Sequence, residues 1–248
     1  MDHSSLHARA EEWRSHLARL KAANPPEGFT WYGYDILSNV SHIGPLLEGE
    51  LSNLFDRVRG EPIADIGAAD GDLGLLFASL GWDVDLIDWP STNWNGMRGM
   101  RALSSLLQLP ASVHEVDLDA QFDLPRERYG LVCLLGILYH LKNPYFVLEK
   151  LARHTRFCLL STRIARFVGN PEMDVSNVPL AYLLAPDECN NDATNYWIFS
   201  QAGLRRIVER AGFRLVSMRC LGDTRRSNPS DGRRDERAFL LLESNHVS

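Results

Sequence analysis

"IADIGAADGDLG", residues 63–74, decides how the rest of the chain is read. The apolar run "PIADI" (62–66) has the form of a buried strand, and "DLGLLFASLG" (72–81) that of a helix closed by Gly81. Between them lies a glycine turn. Turns of this kind commonly seat a phosphate on the helix N-terminus, with glycines spaced G-x-G-x-x-G. Here Gly67, Gly71 and Gly74 are spaced G-x-x-x-G-x-x-G, Ala69 takes the place of the middle glycine, and Asp65, Asp70 and Asp72 put carboxylates into or beside the turn. A carboxylate next to a pyrophosphate is repelled, the more so when buried. The turn therefore disfavours a dinucleotide and suits a ligand without phosphates that carries positive charge. Asp70 and Asp72 equally suit the first turn of a helix, where the dipole favours anions.

The same rhythm continues outward. "DVDLID" (83–88), "ASVHEVDL" (111–118), the start of "YGLVCLLGILYHL" (129–141) and "FCLLST" (157–162) read as strands. Helices alternate with them: "GMRGMRALSSLLQL" (96–109) and "NPYFVLEKLARH" (143–154), the latter opening on Asn-Pro, a cap followed by a first helical residue. "SQAGLRRIVERAG" (200–212) is a further helix, and "FRLVSMRCL" (213–221) and "RAFLLLES" (237–244) are strands joined without a crossover helix, which predicts an antiparallel pair. Strands alternating with helices predict an α/β, doubly wound, mostly parallel sheet. Upstream, Leu6, Ala10, Trp13, Leu17 and Leu20 mark one face of a helix over 5–22, and a second helix is expected from Pro45 to about Arg59. Residues 1–60 thus form an N-terminal helical and aromatic cap segment ahead of a domain at 61–248. A long polar stretch at 163–199, broken by Pro171, Pro179 and Pro186, follows a strand's carboxyl end, where such sheets bind ligands, and is expected to cover substrate.

Composition bounds the function. The chain of 248 residues is 45% hydrophobic and 23% charged, ordinary for a globular protein. No apolar run is long enough for a membrane span and no secretory leader is evident, so a cytoplasmic enzyme without membrane partners is expected. Cys133, Cys158, Cys189 and Cys220 are scattered and form no C-x-x-C pair, so neither a metal site nor a redox motif is indicated. The net charge of -6 disfavours a general nucleic-acid binder. Yet residues 201–248 hold 10 Arg against 6 acidic residues, whereas 41–130 hold 15 acidic against 6 basic.

"DIGAADG" (65–71) resembles the first motif of class I S-adenosylmethionine-dependent methyltransferases, D/E-x-G-x-G-x-G, with Ala69 departing from it. The cofactor fits the turn, since its methionine part carries an ammonium and its sulfur is a cation. The resemblance implies a Rossmann-like, doubly wound seven-stranded sheet whose last strand is reversed, and S-adenosyl-L-methionine as cofactor. It implies Asp88, ending the second strand, for the ribose hydroxyls, with Trp89 or Trp94 at the adenine edge, and Asp117, with Leu118 and with Asp119 close by, for the adenine amine. Asp65, Gly67, Ala68, Gly71 and Leu135 complete the cofactor set. "GILYHLKNP" (136–144) and "NYWIFSQAGLRRIVERAGF" (195–213) resemble more narrowly the group around the tRNA wobble-uridine 5-oxyacetate transferases. The carboxymethyl-transferring member of that group holds its carboxylated cofactor with an upstream lysine, the Tyr of "LYH" and a C-terminal arginine. Tyr139 matches and Arg225 or Arg226 is available, but no lysine lies between Lys21 and Lys142, which favours plain methyl transfer.

Tyr139 and His140 follow the fourth strand, at the sheet edge where the methyl would lie. His140, ordinarily titrating near neutrality, suits a general base for a hydroxyl acceptor; a histidine that only braces the loop fits equally. Tyr139 orients substrate or packs on the cofactor. Trp31 and Tyr34, with Tyr32, and Asn195 and Tyr196, with Trp197, form two aromatic patches suited to roofing a pocket, and Arg225 stands with them as a substrate contact. The sequence thus points to O-methylation of a small molecule, a sugar or secondary metabolite. The alternatives are a tRNA wobble-uridine methyl or carboxymethyl transferase, with tRNA as partner, and a cofactor-binding protein without catalysis.

Overall fold

The structure, a computed structural model, describes residues 3–189 and 191–247. The chain falls into two compact units, residues 1–133 and 134–248, and each has its own architecture.

The first unit opens with helix α1 (His3–Ala23), whose Leu6, Ala10 and Leu17 are buried as their spacing predicts. The helix expected over 45–59 does not form. In its place come a 3-10 turn (Ile36–Asn39), α2 (Val40–Ile43), a second 3-10 turn (Gly44–Leu47) and α3 (Leu54–Arg57). The cause is Gly49, whose φ of 115° lies outside any right-handed helix. The apolar spacing that suggested a helix is real, for Leu46, Leu47, Leu51, Leu54, Phe55 and Val58 are all buried, but short turns deliver them.

There follow β1 (Ile63–Ile66), α4 (Asp72–Ser79), β2 (Val84–Asp88), α5 (Arg98–Leu107), β3 (Ala111–Glu115) and β4 (Tyr129–Leu135). All pair in parallel, with β1 between β4 and β2, and β2 between β1 and β3. β1 is buried along its whole length, which is why "IADI" reads as a continuous rather than alternating strand. Ile66 stands opposite Ile87, so the glycine turn and Asp88 leave the sheet at the same level. A buried carboxylate, Asp85, ties this sheet to its surroundings: it accepts from the Tyr129 hydroxyl at 2.7 Å and Arg126 Nε at 2.8 Å and pairs with His114 Nε2 at 3.0 Å.

The second unit holds α6 (Pro144–His154), β5 (Thr155–Ala165), β6 (Phe167–Val168), β7 (Met173–Asp174), β8 (Ala181–Leu183), β9 (Trp197–Ser200), α7 (Gln201–Arg210), β10 (Phe213–Gly222) and β11 (Glu236–Ser244). Asn143 caps α6, its side chain accepting from Phe146 N at 3.3 Å. β11 runs antiparallel to both β5 and β10, the reversed hairpin expected of the chain's end. The stretch 163–199 is more ordered than its composition suggested. Its first residues complete β5, β6 pairs with β7, and β8 and β9 pair with each other while β9 joins β5 in parallel. Ala165, Val168, Val175, Leu184, Cys189 and Ile198 give it a small core of its own, and it adds two strands to the seven expected. The fold class is Rossmann-like: a mostly parallel central sheet with flanking helices and an N-terminal helix.

Candidate functional site

In the first unit the turn after β1 is built by three left-handed residues, Gly67 (φ 71°), Ala69 (φ 55°) and Gly71 (φ 86°). Ala69 therefore adopts the conformation a glycine would, at a cost of about 1–2 kcal/mol. Hydrogen bonds hold it there: its N–H donates to Asp88 Oδ2 at 3.0 Å, and its carbonyl accepts from Asn93 Nδ2 at 3.2 Å. Beneath the turn, Asp65 is buried and accepts from Gly74 N at 2.9 Å. Burial pushes its carboxyl up to about 7, against the Gly74 bond that favours the ionised form. Asp65 braces the turn from below through the backbone of the following helix. Ala68 is buried, while Gly67 keeps partial exposure.

Asp88 stands at the carboxyl end of β2. It accepts from Ala69 N, from Trp89 N at 2.8 Å and from Asn93 Nδ2 at 2.9 Å, and burial raises its pKa. Those three bonds occupy three of roughly four lone-pair positions of a carboxylate. One position on Oδ1 is left, enough for one direct bond to a ribose hydroxyl. Asp88→Ala is expected to weaken binding of S-adenosylhomocysteine by about 10- to 100-fold, the range for a hydrogen bond to a charged group; titration calorimetry measures it. Asp117 follows β3 and accepts from Asp119 N at 3.0 Å. Asp117, Leu118 and Trp89 are half-buried.

The carboxylates that made the turn unusual have other work. Asp70 is 1% exposed. Its Oδ2 accepts from Tyr32 N at 2.7 Å and its Oδ1 from Asn95 Nδ2 at 2.8 Å. Asn95 Nδ2 also donates to the Thr30 carbonyl at 3.1 Å, and Trp94 Nε1 to Thr30 Oγ1 at 3.2 Å. Lys21 Nζ lies 2.9 Å from Asp72 and 3.5 Å from Asp70, and Trp13 Nε1 donates to the Asp72 carbonyl at 3.0 Å. The turn thus straps α1 and the aromatic segment 29–34 onto itself. Trp31 lies within this strap and Tyr34 is exposed. The strap explains Gly99 in α5: a Cβ there would lie 2.6 Å from Asp70 Cγ and 2.7 Å from Asn95 Nδ2. Gly99→Ala is expected to destabilise the fold by about 2–3 kcal/mol through this overpacking, read by urea denaturation.

In the second unit, Tyr139 and His140 lie in a 3-10 turn (Leu138–His140), their rings 4.2 Å apart. His140 Nδ1 lies 3.1 Å from the Thr194 carbonyl and 3.0 Å from Thr194 Oγ1, which donates to Asp192 Oδ1 at 2.6 Å. Burial lowers the His140 pKa, with Arg237 and Arg163 acting in the same sense and Thr194 and Asp192 opposing. Tyr196 N donates to the Tyr139 carbonyl at 2.8 Å, so the 194–196 segment is fixed to the same turn. Asn195 is buried; its Nδ2 donates to the Cys189 carbonyl at 3.2 Å, while its Oδ1 has no hydrogen-bond partner among the described residues. Leu135, at the end of β4, is half-buried.

The sequence singled out Arg225, which is exposed. The arginine at Tyr139 is another one. Arg237 Nη2 lies 3.4 Å from the Tyr139 hydroxyl, and its guanidinium sits 5.7 Å from that ring's centroid. Arg237 stands opposite Arg163 across the β11–β5 pair. The two like charges share Asp235, whose carboxylate lies 2.7 Å from Arg163 Nε and 3.9 Å from Arg237 Nε. Alternation along β11 was the available signal, for it puts Arg237 on the face opposite its neighbour Glu236, which pairs with Arg166. Other arginines of the C-terminal loop are also paired: Arg226 and Arg234 with Glu172, and Arg233 with Asp231.

Among the curated proteins none matches the chain. Of the solved structures, the N-terminal domain of EvdMO1, determined in the presence of SAH and D-fucose, is similar at 15% identity, with 98% of this chain and 97% of that one covered and a TM-score of 0.59. The [4+2]-cyclase SpnF is similar at 11% identity, covering 93% and 92%, with a TM-score of 0.59. The PH0226 protein of Pyrococcus horikoshii OT3 follows at 10% identity, covering 84% and 90%, with a TM-score of 0.54. These likenesses establish the fold. The family model described as "Methyltransferase domain" matches residues 6–218. The chain therefore belongs to the methyltransferase-domain family and is an S-adenosylmethionine-dependent methyltransferase.

Proposed function

We propose that this enzyme methylates a hydroxyl of a small molecule, a sugar or secondary metabolite, with His140 as general base. The observation that carries the reading is the engagement of His140 Nδ1 by Thr194, at 3.1 Å to the carbonyl and 3.0 Å to Oγ1. A backbone carbonyl only accepts, so the Nδ1 nitrogen holds the proton and Nε2 is left with a lone pair. The lowered pKa keeps the ring neutral, ready to take a proton, at ordinary pH.

The cofactor, when bound, supplies an electrophilic methyl on a sulfonium. Alignment is then the protein's main task. In the first unit, Asp88 holds a ribose hydroxyl and the Gly67–Gly71 turn receives the methionine end, with Trp89, Asp117 and Leu118 assigned to the adenine. In the second unit, His140 removes the acceptor's proton as the new bond forms. Tyr139, braced by Arg237, orients the acceptor, and Asn195 and Tyr196, on the segment fixed to the same turn, complete the acceptor contacts. The sugar named with the EvdMO1 domain supports an acceptor of this chemistry.

An RNA acceptor is disfavoured by the ion pairs that occupy Arg226, Arg233 and Arg234. A cytoplasmic location belongs to the same reading. It is supported by four cysteines that are all free thiols, and no described helix is long and apolar enough to cross a membrane. The test is methyl-labelled S-adenosylmethionine given to the purified protein with a cell extract, followed by fractionation. Label is expected in small molecules. Label in RNA, lost on ribonuclease treatment, would replace the proposal with the tRNA reading, and label in no fraction would remove it.

A further inference from the structure

The second unit carries an open groove, and none of its lining residues belongs to the Tyr139–His140 turn. Leu180 lines it from the segment entering β8, Phe199 from β9, Arg206, Ile207 and Arg210 from α7, and Tyr145 from α6. Local bonds fix its shape. Leu180 N donates to Ser200 Oγ at 3.2 Å, and Ser200 N donates to the Leu180 carbonyl at 2.9 Å. Ser200 is in turn the cap of α7. Gly203 lets this backbone lie directly on the helix, since a Cβ there would stand 3.0 Å from Leu180 N. The Tyr145 hydroxyl donates to the Arg210 carbonyl at 3.0 Å, which ties α6 to the end of α7. A groove held in this way loses little freedom when it is filled.

Charge and apolar surface together select the occupant. Tyr145 is 39% exposed, and Val178 and Leu183, which flank Leu180 in the chain, are 48% and 59% exposed. Apolar side chains left exposed around a groove mark a contact surface. Arg206 and Arg210 are exposed, and neither guanidinium has an acidic partner among the described residues, unlike Arg226, Arg233 and Arg234. No lining residue is acidic. Four residues apart on α7, the two arginines stand one turn apart on one face. The groove's volume of about 250 Å³ falls short of an ordinary small-molecule pocket. A second copy docked about a two-fold axis would bring the same arginines face to face. A phosphate backbone would leave Leu180, Ile207 and Tyr145 without a partner. We propose that this groove docks an acidic amphipathic helix of a partner protein. Its apolar stripe lies against Leu180, Ile207 and Tyr145, and two carboxylates one turn apart meet Arg206 and Arg210. The docking surface is independent of the methyl acceptor and of the role of His140.

The test uses a fluorescein-labelled, alanine-based helical peptide with a leucine stripe and glutamates four residues apart. The full-length protein is titrated into it at low salt and binding is followed by anisotropy. Saturable binding that weakens with added salt is expected. The double variant Arg206→Glu/Arg210→Glu is expected to weaken it about tenfold or more, and a peptide with glutamines for the glutamates to bind the wild type as poorly. Tyr145→Ala removes an apolar wall without changing charge and is expected to cost about fivefold. Both variants alter exposed side chains and should bind S-adenosylhomocysteine as the wild type does. In the wild type, the amide resonances of Tyr145, Arg206 and Arg210 are expected to move with the peptide, and unmoved resonances refute the proposal without any variant. No binding by the acidic peptide, or binding unchanged in either variant, would overturn it. Transfer RNA bound by the wild type and released by the double variant would make the groove a nucleic-acid surface instead. A dimer seen by sedimentation and lost in the double variant would make it a contact between copies.

Discussion

Asp70→Ala is expected to cost the fold about 3–5 kcal/mol, the range for removing one partner of a buried charged cluster, and to lower Tm by roughly 10 °C. The side chain is 1% exposed and serves three donors: Tyr32 N, Asn95 Nδ2 and, more distantly, Lys21 Nζ. Its removal strands the first two without an acceptor and leaves the Lys21 charge on Asp72 alone. Asp70→Asn should fall between the variant and the wild type. An amide offers one oxygen where two are in use, so either Tyr32 N or Asn95 Nδ2 loses its acceptor. Urea denaturation monitored by tryptophan fluorescence gives both values. A loss under about 0.5 kcal/mol for Asp70→Ala would be the size of a surface change and would mean the cluster is not what holds the strap. Because Gly99 exists to admit Asp70 and Asn95, the double variant Asp70→Ala/Gly99→Ala is expected to be less destabilised than the two single losses added together.

This aspartate also shows how far the sequence can be read. "GAADGDLG" announces a ligand turn because glycines at a strand-to-helix junction have few other uses. The parallel order of β1 to β4 follows from the strand-helix rhythm around it. The aspartates themselves mislead, since their partners Tyr32 and Asn95 lie 38 and 25 residues away and nothing local records that pairing. Ala69 posed the converse difficulty. It departs from the family pattern, yet the bonds to Asp88 and Asn93 hold it in the left-handed conformation a glycine would take. The helix expected over 45–59 was lost to Gly49, because turns can bury leucines at helical spacing as well as a helix does. In the second unit, Tyr139, His140, Asn195 and Tyr196 gather at one turn, a juxtaposition that the sequence, which holds them in two stretches more than fifty residues apart, does not record. The arginine that joins them was hidden by its number of neighbours. Only strand register separates Arg237 from Arg225, Arg226, Arg233 and Arg234, and register between β11 and β5 is a long-range property.

His140→Gln is expected to lower kcat by about 10²- to 10⁴-fold, the usual contribution of a positioned general base, while leaving affinity for S-adenosylhomocysteine within about twofold. The pH dependence separates a base from a brace. Burial, joined by Arg237 and Arg163, sets the His140 pKa below 6.5. A base must be neutral to act, so kcat/KM should rise with pH along an acid limb whose midpoint lies below 6.5 and be level at neutrality. Stability follows the same sign. The unfolded chain binds the proton more readily than the folded one, so this group's contribution is present above the unfolded pKa and is lost as pH falls through the folded value. In the glutamine variant the acid limb should vanish, since the residual rate no longer depends on a titrating ring. Asp192→Asn offers a graded check, because Asp192 raises the His140 pKa from behind Thr194; removing its charge should move the limb to still lower pH with a smaller loss of rate. If the limb persists in His140→Gln with only a few-fold loss of kcat, the proton goes elsewhere. The Thr194 bonds would then mean that His140 braces the 194–196 segment against Tyr139, and the acceptor would be one whose methylation needs no base on this turn.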